Sequence, residues 1–437
     1  MRDLLFVMIF LPMPVICFLR PWIGLLIWAW FASTFPMSHL WGFATTLPGN
    51  MVVTAATLLG WLVAKDEAKS PPGDRTNLLF MALALVTSIS ILLSRAPDYT
   101  AIKTTEYLSI FLYLILLSMF LRTTERFHAF IWMIAFSFAY FAVKCSASVI
   151  VTAGAHKCVG PSGTIISDRN HFALACLIVI PLLNYLRLQA RHHWVSLTLF
   201  FTMMLTCLAV VGTHSRGGFI GLVCLLAYFW WNAGRKIGYL IVMAAGLVVV
   251  FHTASDSWLS RMQSIETASE DDRSFQGRLY AWGIYYRAAL DRPLIGVGPK
   301  ALESRAVVAN YLEVQTDQVK ALAAHSIYFQ VMGELGFVAL GIYIALLYTG
   351  WANGRWIARR TRDHPALAWA GDLARMCQIS IVVFAIAGAA LSMAIFDLLL
   401  SILIVLAALR RFVAHRLKSV QESTAPPLAD AAPAASP

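Results

Sequence analysis

Charged residues are scarce in this sequence. Asp, Glu, Lys and Arg make up 13% of its 437 residues, whereas 59% of the residues are apolar. A soluble protein of two or three domains needs a more polar surface, so that class is excluded. The mean hydropathy is +0.69, and about 20 apolar residues in a helix span a bilayer core. The composition therefore predicts a polytopic membrane protein.

Metal and redox motifs are also missing from the sequence. There is no CxxC and no HExxH pattern, so we expect no bound metal and no cofactor. Five of the seven cysteines lie in apolar stretches, where they are expected to pack as small hydrophobic residues. They are Cys17, Cys176, Cys207, Cys224 and Cys377. Cys145 and Cys158 flank one loop, and a disulfide between them requires that the loop face an oxidising compartment.

A nucleic-acid partner is not expected, although the net charge is +11. The basic residues are spread over short segments between apolar stretches and do not form one arm or face. That distribution follows the positive-inside rule, in which Lys- and Arg-rich segments remain in the cytoplasm. The chain also lacks an internal repeat of the kind that indicates an inverted-repeat transporter.

The apolar stretches are predicted to be helices, because backbone polar groups in lipid need hydrogen-bond partners within their own segment. They cover residues 4–19, 22–35, 50–64, 77–94, 105–121, 127–143, 171–186, 194–211, 219–231, 237–251, 326–349, 376–393 and 396–412. We expect residues 4–35 to form a broken pair, which leaves about twelve crossings with both termini cytoplasmic. The last two stretches are read as a hairpin that turns near Asp397.

The basic segments orient these helices. Cytoplasmic positions are predicted for Arg122 and Arg126, Arg187 and Arg191, Arg235 and Lys236, residues 355–375 and residues 410–418. The loops 144–170, 212–218 and 252–325 then share the periplasmic side. The predicted organisation is an N-terminal transmembrane bundle (1–251), a periplasmic loop module (252–325), C-terminal transmembrane helices (326–412) and a disordered cytoplasmic tail (413–437).

Two polar clusters lie on the predicted periplasmic side. In GTIISDRNHFAL, Ser167 or Asp168 is expected to cap the following helix, and a functional interpretation adds Arg169 and Asn170. In GTHSRGGFIG, Arg216 follows Ser215 between two apolar stretches. An arginine at membrane depth is costly and usually has a partner or a ligand, although a side chain that snorkels to the membrane surface is the alternative.

The third cluster is QGRLYAWGIYYRAALDRPLIGVGP, which begins at Gln276. Its aromatic residues recur at near-helical spacing and predict a helix at the membrane interface. They are Tyr280, Trp282, Tyr285 and Tyr286. Arg278 is a better ligand candidate than these aromatic residues. If Arg278 and Arg216 converge on one site, the pair suits a phosphate or diphosphate.

His325 ends the long loop and precedes the next apolar helix. A single histidine at a helix start is more often a capping or interface residue. Its predicted position on the same side as Arg216 and Arg278 raises the alternative that it acts in catalysis. The ordinary pKa of histidine, near 6.5, suits a general base for a sugar hydroxyl.

These stretches, taken in order, resemble the signature of the O-antigen ligase and polymerase superfamily. They read GTHSRGGF, GRLYAWGIYYRAALDRPLIGVGP and AHSIYFQVMGELGFVALGIY. The N-terminal stretch that begins MRDLLFVMIFLPMP is similar to a subset described as O-glycosylation ligases. Together the similarities cover most of residues 1–410. Asn commonly follows the histidine in this superfamily, whereas Ser326 stands there in this sequence.

The resemblance implies an all-α glycosyltransferase of the GT-C type in the bacterial inner membrane. It would act at the periplasmic face on an undecaprenyl-diphosphate-linked glycan, without a metal. By motif position, Arg216 and Arg278 would bind the diphosphate and His325 would be the catalytic residue. Supporting positions are expected at Arg169, Asn170, Ser215, Gln276 and Trp282. Direct attack by an acceptor hydroxyl predicts inversion at the anomeric carbon.

The sequence leaves the acceptor open. A lipid A-core sugar is the expected acceptor, and the alternatives within the enzyme class are a protein O-oligosaccharyltransferase and an O-antigen polymerase. A flippase or transporter of lipid-linked glycans is the alternative from another class. A transporter usually places charged residues along mid-membrane helices, whereas the charges here concentrate in one long loop.

Overall fold

The computed structural model describes residues 2–232, 236–238, 273–312 and 323–424. Throughout these ranges every regular element is helical, and none is a strand. The α-helices are α1 (Arg2–Phe10), α2 (Met13–Leu19), α3 (Pro21–Thr34), α4 (Gly49–Val63), α5 (Arg75–Leu92), α6 (Pro97–Phe120), α7 (Thr124–Val151), α8 (Arg169–Leu188), α9 (His193–Gly212), α10 (Arg216–Asn232), α11 (Arg273–Asp291), α12 (Arg305–Ala309), α13 (Ile327–Arg360), α14 (Ala368–Ala387) and α15 (Asp397–Thr424).

Nine helical segments in the described ranges are long and apolar enough to cross a membrane. They are Arg2–Leu19, Arg75–Leu92, Pro97–Phe120, Thr124–Val151, Arg169–Leu188, His193–Gly212, Ile327–Arg360, Pro365–Ala390 and Asp397–Val420. Three shorter apolar helices are Pro21–Thr34, Gly49–Val63 and Arg216–Trp231. The all-α polytopic architecture is thus confirmed. The span predicted at 237–251 lies almost wholly outside the described residues, so the count of about twelve crossings stays a prediction.

The C-terminal hairpin forms where the sequence predicts it. α14 ends at Ala387, and α15 begins at Asp397 after an irregular connection. α15 continues to Thr424, so the predicted tail boundary at 413 is too early. The helix persists because its apolar face still packs: Val413 is fully buried, and the ring of Phe412 lies 5.9 Å from that of Phe127. Residues 425–437 lie outside the described ranges.

α8 forms the centre of the bundle. Every residue from Phe172 to Leu186 is buried, and the helix packs against α7, α9, α10 and α14. A helix that is apolar on all sides belongs in the interior, surrounded by other helices. α8 begins at Arg169, so the loop that leads into it opens at the end of the bundle where α13 also begins.

α13 is broken at Gly336, and a loop docks into the break. Gly336 adopts φ 89° and ψ 174°, which interrupts the helical hydrogen bonding. The carbonyl of Gly333 accepts the N–H of Val297 at 3.1 Å, and the carbonyl of Glu334 accepts the N–H of Gly298 at 3.0 Å. Helix carbonyls that lose their intrahelical partners are therefore satisfied by the incoming loop.

The loop that docks belongs to residues 273–312, which lie within the predicted periplasmic loop module (252–325). Below, the name loop module refers to residues 273–312. A salt bridge joins Asp291 to Arg95 at 2.7 Å. The backbone N–H of Arg95 donates to Val297 O at 2.9 Å, and the Arg292 side chain donates to Leu93 O at 2.6 Å. These contacts attach the loop module to the end of α5, so α11 is held beside the start of α13.

The break in α13 yields a stability prediction. We expect Gly336→Ala to destabilise the protein by at least about 2 kcal/mol, because φ near 90° is strained for alanine. A Cβ there would also lie 2.7 Å from Pro293 O. Thermal unfolding in detergent measures the effect. The control is Gly341→Ala on the same helix, where a Cβ meets nothing within 4 Å. Equal melting temperatures for the two variants would contradict the proposed role of the break.

Candidate active site

A cavity of about 380 Å³ opens at the end of the bundle where α8 and α13 begin. We call it the site cavity. Its walls come from α6, α8, α11, α13, the loop before α8 and the connection between α14 and α15. Its polar and aromatic lining includes Lys103, Tyr107, Asp168, Asn170, His171, Tyr285, Lys300, Glu303, His325, Gln330, Glu334 and Ser392. Two of the predicted site residues, Asn170 and His325, line it directly.

His325 precedes the first turn of α13 and is exposed to the site cavity. Its φ of 45° lies in the left-handed region, which is strained for a residue other than glycine. The backbone N–H donates to Ser392 Oγ at 2.7 Å, and this bond ties the strained residue to the α14–α15 connection. The N-cap position of α13 is taken by Ser326, which makes no side-chain capping bond. The capping interpretation of His325 is therefore wrong.

Trp282 supports the backbone just before His325. Its indole Nε1 donates to Ala324 O at 2.8 Å. The ring stacks on Phe329 of α13, with 4.9 Å between centroids and 2° between planes. α11 is thus a helix, as its aromatic spacing predicts, and Trp282 packs against the segment that carries the histidine. Tyr286 of the same stripe remains exposed.

The surroundings of His325 favour the neutral imidazole. Desolvation is the largest cause that lowers its pKa below 6.5, and the positive charges of Arg278 and His171 act in the same direction. The carboxylate of Asp168 opposes them. A histidine with a lowered pKa is neutral at pH 7, and so it is able to accept a proton.

The two predicted arginines occupy different places. Arg278 is half-buried on α11, close enough to His325 for its charge to act on the imidazole. Arg216 is half-buried as the first residue of α10. Gly218, two residues further along, lies against Ala173 near the start of α8. Arg216 therefore lies at the same end of the bundle, although neither arginine contributes to the lining of the site cavity.

The supporting residues divide between structural and cavity positions. Asp168 is the N-cap of α8, since its carboxylate accepts the N–H groups of Asn170 at 2.7 Å and His171 at 3.4 Å. Ser215 is buried, and its Oγ accepts the N–H of Gly218 at 3.1 Å. Of the other supporting candidates, Arg169 is half-buried at the start of α8 and Gln276 is exposed on α11.

A disulfide stabilises the loop at this end of the bundle. Cys145 in α7 and Cys158 are bonded, with their Cα atoms 5.6 Å apart. The N–H of Cys158 donates to Gly212 O at 2.9 Å, next to the turn that leads to Arg216. The sequence leaves open whether these two cysteines pair, and in this structure they do. Structural disulfides are typical of oxidising compartments.

The family comparison covers the segment that holds these groups. Residues 201–344 match the family model described as O-antigen ligase, and this range includes Arg216, Arg278 and His325. This part of the chain is therefore similar to the O-antigen ligase family. Residues 1–193 match a family of unknown function. A comparison with curated proteins found no match.

The match links residues 201–344 to a membrane glycosyltransferase-like ligase activity in general. Within the described part of the chain, no group of three or more His, Cys, Asp or Glu residues is arranged to hold a metal ion.

Sequence reasoning missed several groups that line the site cavity. Glu334 is buried in α13, and its carboxylate accepts the side-chain amide of Gln330 at 3.4 Å. Gln330 Oε1 in turn accepts the N–H of Ala394 at 3.1 Å, which holds the α14–α15 connection in place. An acidic residue inside an apolar helix is a signal that the sequence does contain. Nothing in the sequence around Ser392 indicates that it lines a cavity.

The acidic N-cap gives a pH prediction. We expect Asp168→Asn to move the acidic limb of the pH–rate profile to lower pH, because loss of the carboxylate removes the charge that raises the pKa of His325. Asparagine caps helices about as well as aspartate, so α8 should begin at the same place. The rate is measured from pH 5 to 8, with exposed Asp363→Asn as control. An unchanged limb, or one moved to higher pH, would contradict the role of Asp168.

Proposed function

We propose that the protein transfers a preassembled glycan from undecaprenyl diphosphate to a hydroxyl of a lipid A-core sugar. The observation that carries this proposal is the placement of His325. It is exposed to a polar cavity, its pKa is lowered, and the charge of Arg278 reaches it. His325 and Arg278 both lie in the segment that matches the O-antigen ligase model.

In the proposed reaction, neutral His325 accepts the proton of the acceptor hydroxyl. The oxygen attacks the anomeric carbon of the donor while the bond from that carbon to the diphosphate oxygen breaks. The electron pair of that bond remains on the leaving diphosphate. Direct displacement on one face inverts the anomeric configuration. A general base typically contributes about 10²–10⁴-fold to the rate.

The arginines are assigned to the leaving group. Diphosphate gains negative charge as the glycosidic bond breaks, and guanidinium groups bind such oxygens through paired hydrogen bonds. Arg278 is the primary candidate, because its charge already reaches His325. Arg216 begins α10 at the same end of the bundle and would bind the more distant part of the diphosphate. In this assignment the arginines supply the charge stabilisation that a metal ion would otherwise provide.

The lysines of the site cavity have local acidic partners. Lys103 forms a salt bridge with Glu106 at 2.5 Å, and Lys300 forms one with Glu303 at 3.0 Å. Because their charges are partly matched, we assign them to the polar wall that contacts sugar hydroxyls. Buried Glu334, with its hydrogen bond to Gln330, suits the same role.

The proposed location is the bacterial inner membrane, with the site cavity facing the periplasm. The Cys145–Cys158 disulfide supports an oxidising environment at this end. Arg359 and Arg360 in the last turn of α13 and the basic part of α15 lie at the ends of their helices away from the site cavity, as the positive-inside rule requires for the cytoplasm.

Reconstitution in vesicles tests the proposal and its alternatives. The purified protein is supplied with an undecaprenyl-diphosphate glycan and, separately, rough lipopolysaccharide, a peptide or a second carrier-linked glycan. Gain of mass by lipopolysaccharide supports the ligase, whereas gain by the peptide or by the carrier-linked glycan indicates an O-oligosaccharyltransferase or a polymerase. Movement of the donor across the bilayer without transfer to any acceptor would indicate a flippase.

A further inference from the structure

A second and larger cavity, of about 580 Å³, lies at the opposite end of the bundle. We call it the distal cavity. α6 connects the two: Lys103 near its start lines the site cavity, and Arg122 just beyond its end lines the distal one. A helix of 24 residues is about 36 Å long. The distal cavity is therefore separate from the proposed reaction.

The charged residues that line the distal cavity carry one sign, while Asp74 lies beside Arg411 and the charge of Glu125 reaches Arg416. Arg122, Arg411 and Arg416 line it together with His415, and no described lining residue is an aspartate or a glutamate. Arg122 lies close enough to Arg411 for the two positive charges to repel each other. Asp74 offsets this repulsion at Arg411, and an anion bound beside Arg122 would offset it further.

Only one of these arginines is held by an acidic partner in the described ranges. Arg411 pairs with Asp74 and also donates to Ser118 O at 2.8 Å. Among the described residues, Arg122 is hydrogen-bonded through Nε alone, to Met119 O at 2.8 Å, which leaves its two terminal nitrogens for a ligand. Arg416 lies 5.4 Å from the ring centroid of Phe412 and is exposed. Arg411 is thus held in place by its own partners, and Arg122 and Arg416 beside it are able to bind an anion.

Apart from three serines, the remaining lining is apolar, and it lies at a membrane boundary. Met119, Leu121 and Phe412 contribute to the wall. At the same end of the bundle, Arg126 lies 5.3 Å from the ring of Trp22, an arginine–aromatic contact that suits the level of lipid headgroups. A ligand with a phosphate and a hydrocarbon portion matches both the basic and the apolar residues of the lining, whereas inorganic phosphate matches only the basic ones.

We propose that the distal cavity binds the phosphate group of an anionic phospholipid from the surrounding bilayer. Arg122 and Arg416 contact the phosphate oxygens, and the apolar wall contacts the glycerol and upper acyl region. Bound lipid would join the end of α6 to α15, and so brace the helix that leads back to the α14–α15 connection. This site is independent of the proposed glycan transfer.

The test compares lipid-dependent melting temperatures of the full-length protein in neutral detergent. The probes are dioctanoyl phosphatidylglycerol, dioctanoyl phosphatidylcholine and inorganic phosphate. The variant is Arg122→Gln with Arg416→Gln, and the control removes two exposed arginines at the same end, Arg359→Gln with Arg362→Gln. A basic residue near the membrane contributes about fivefold in affinity for anionic lipid, so the variant should bind phosphatidylglycerol on the order of 20-fold more weakly.

We expect phosphatidylglycerol to raise the melting temperature of the native protein and of the control, with little effect on the variant. Equal stabilisation of the variant would overturn the proposal. Equal stabilisation by phosphatidylcholine would also overturn it, because the lipid would then need no net negative charge. Equal stabilisation by inorganic phosphate would overturn it too, because the ligand would then be a soluble anion and not a lipid. If the double variant melts too low without lipid, the single Arg416→Gln change at an exposed position makes the same comparison with a fivefold effect.

Discussion

Replacement of His325 by alanine is expected to lower the rate of glycan transfer by about 10²–10⁴-fold, because the proton acceptor is lost. The fold should survive, since the side chain is exposed to the cavity and the bond to Ser392 is made by the backbone N–H. Removal of the side chain also leaves Trp282 bonded to Ala324, so the local backbone keeps its main support.

Transfer and donor binding must be measured separately on the purified His325→Ala variant. The matched control is His192→Ala, which removes an exposed histidine at the start of α9 that makes no side-chain capping bond. Transfer close to the native rate by folded His325→Ala would move the catalytic role elsewhere. Loss of donor binding with an intact fold would instead make His325 a ligand of the diphosphate.

The second large effect is expected at Arg278. Arg278→Ala should lower the transfer rate by about 10²–10³-fold, the typical cost of losing one group that stabilises developing negative charge. Arg278→Lys should remain severely impaired although it keeps the charge, because the paired hydrogen bonds of guanidinium are lost. Arg216→Lys is predicted to behave in the same way if both arginines hold the diphosphate.

Arg305 provides the control for this series, because it is an exposed arginine of the same loop module. Arg305→Ala and Arg305→Lys should transfer glycan at nearly the native rate. Native transfer rates in both Arg278 variants would rule out a role of Arg278 in binding the diphosphate. Equal losses in the Arg278 and Arg305 series would indicate a general effect of charge on the loop module.

The sequence determined the helices of this protein. Continuous apolar stretches had to become helices because a backbone in lipid satisfies its polar groups internally. Each described span overlaps a predicted one, although α6, α7 and α13 extend well beyond the predicted bounds. Local chemistry also predicted the cap of α8, since an aspartate before a helix accepts its first N–H groups. The order of the motifs along the chain also made Arg216, Arg278 and His325 candidates, and their roles stay predictions.

Only the tertiary structure brought together the site cavity, whose walls come from segments hundreds of residues apart. Lys103, Glu334 and Ser392 meet His325 there because helices α6, α13 and α15 pack at that end. Helical periodicity states which face of a helix is apolar, but not which distant helix covers that face. The break at Gly336 has the same origin: the docked loop holds a conformation that the sequence of α13 alone would not adopt.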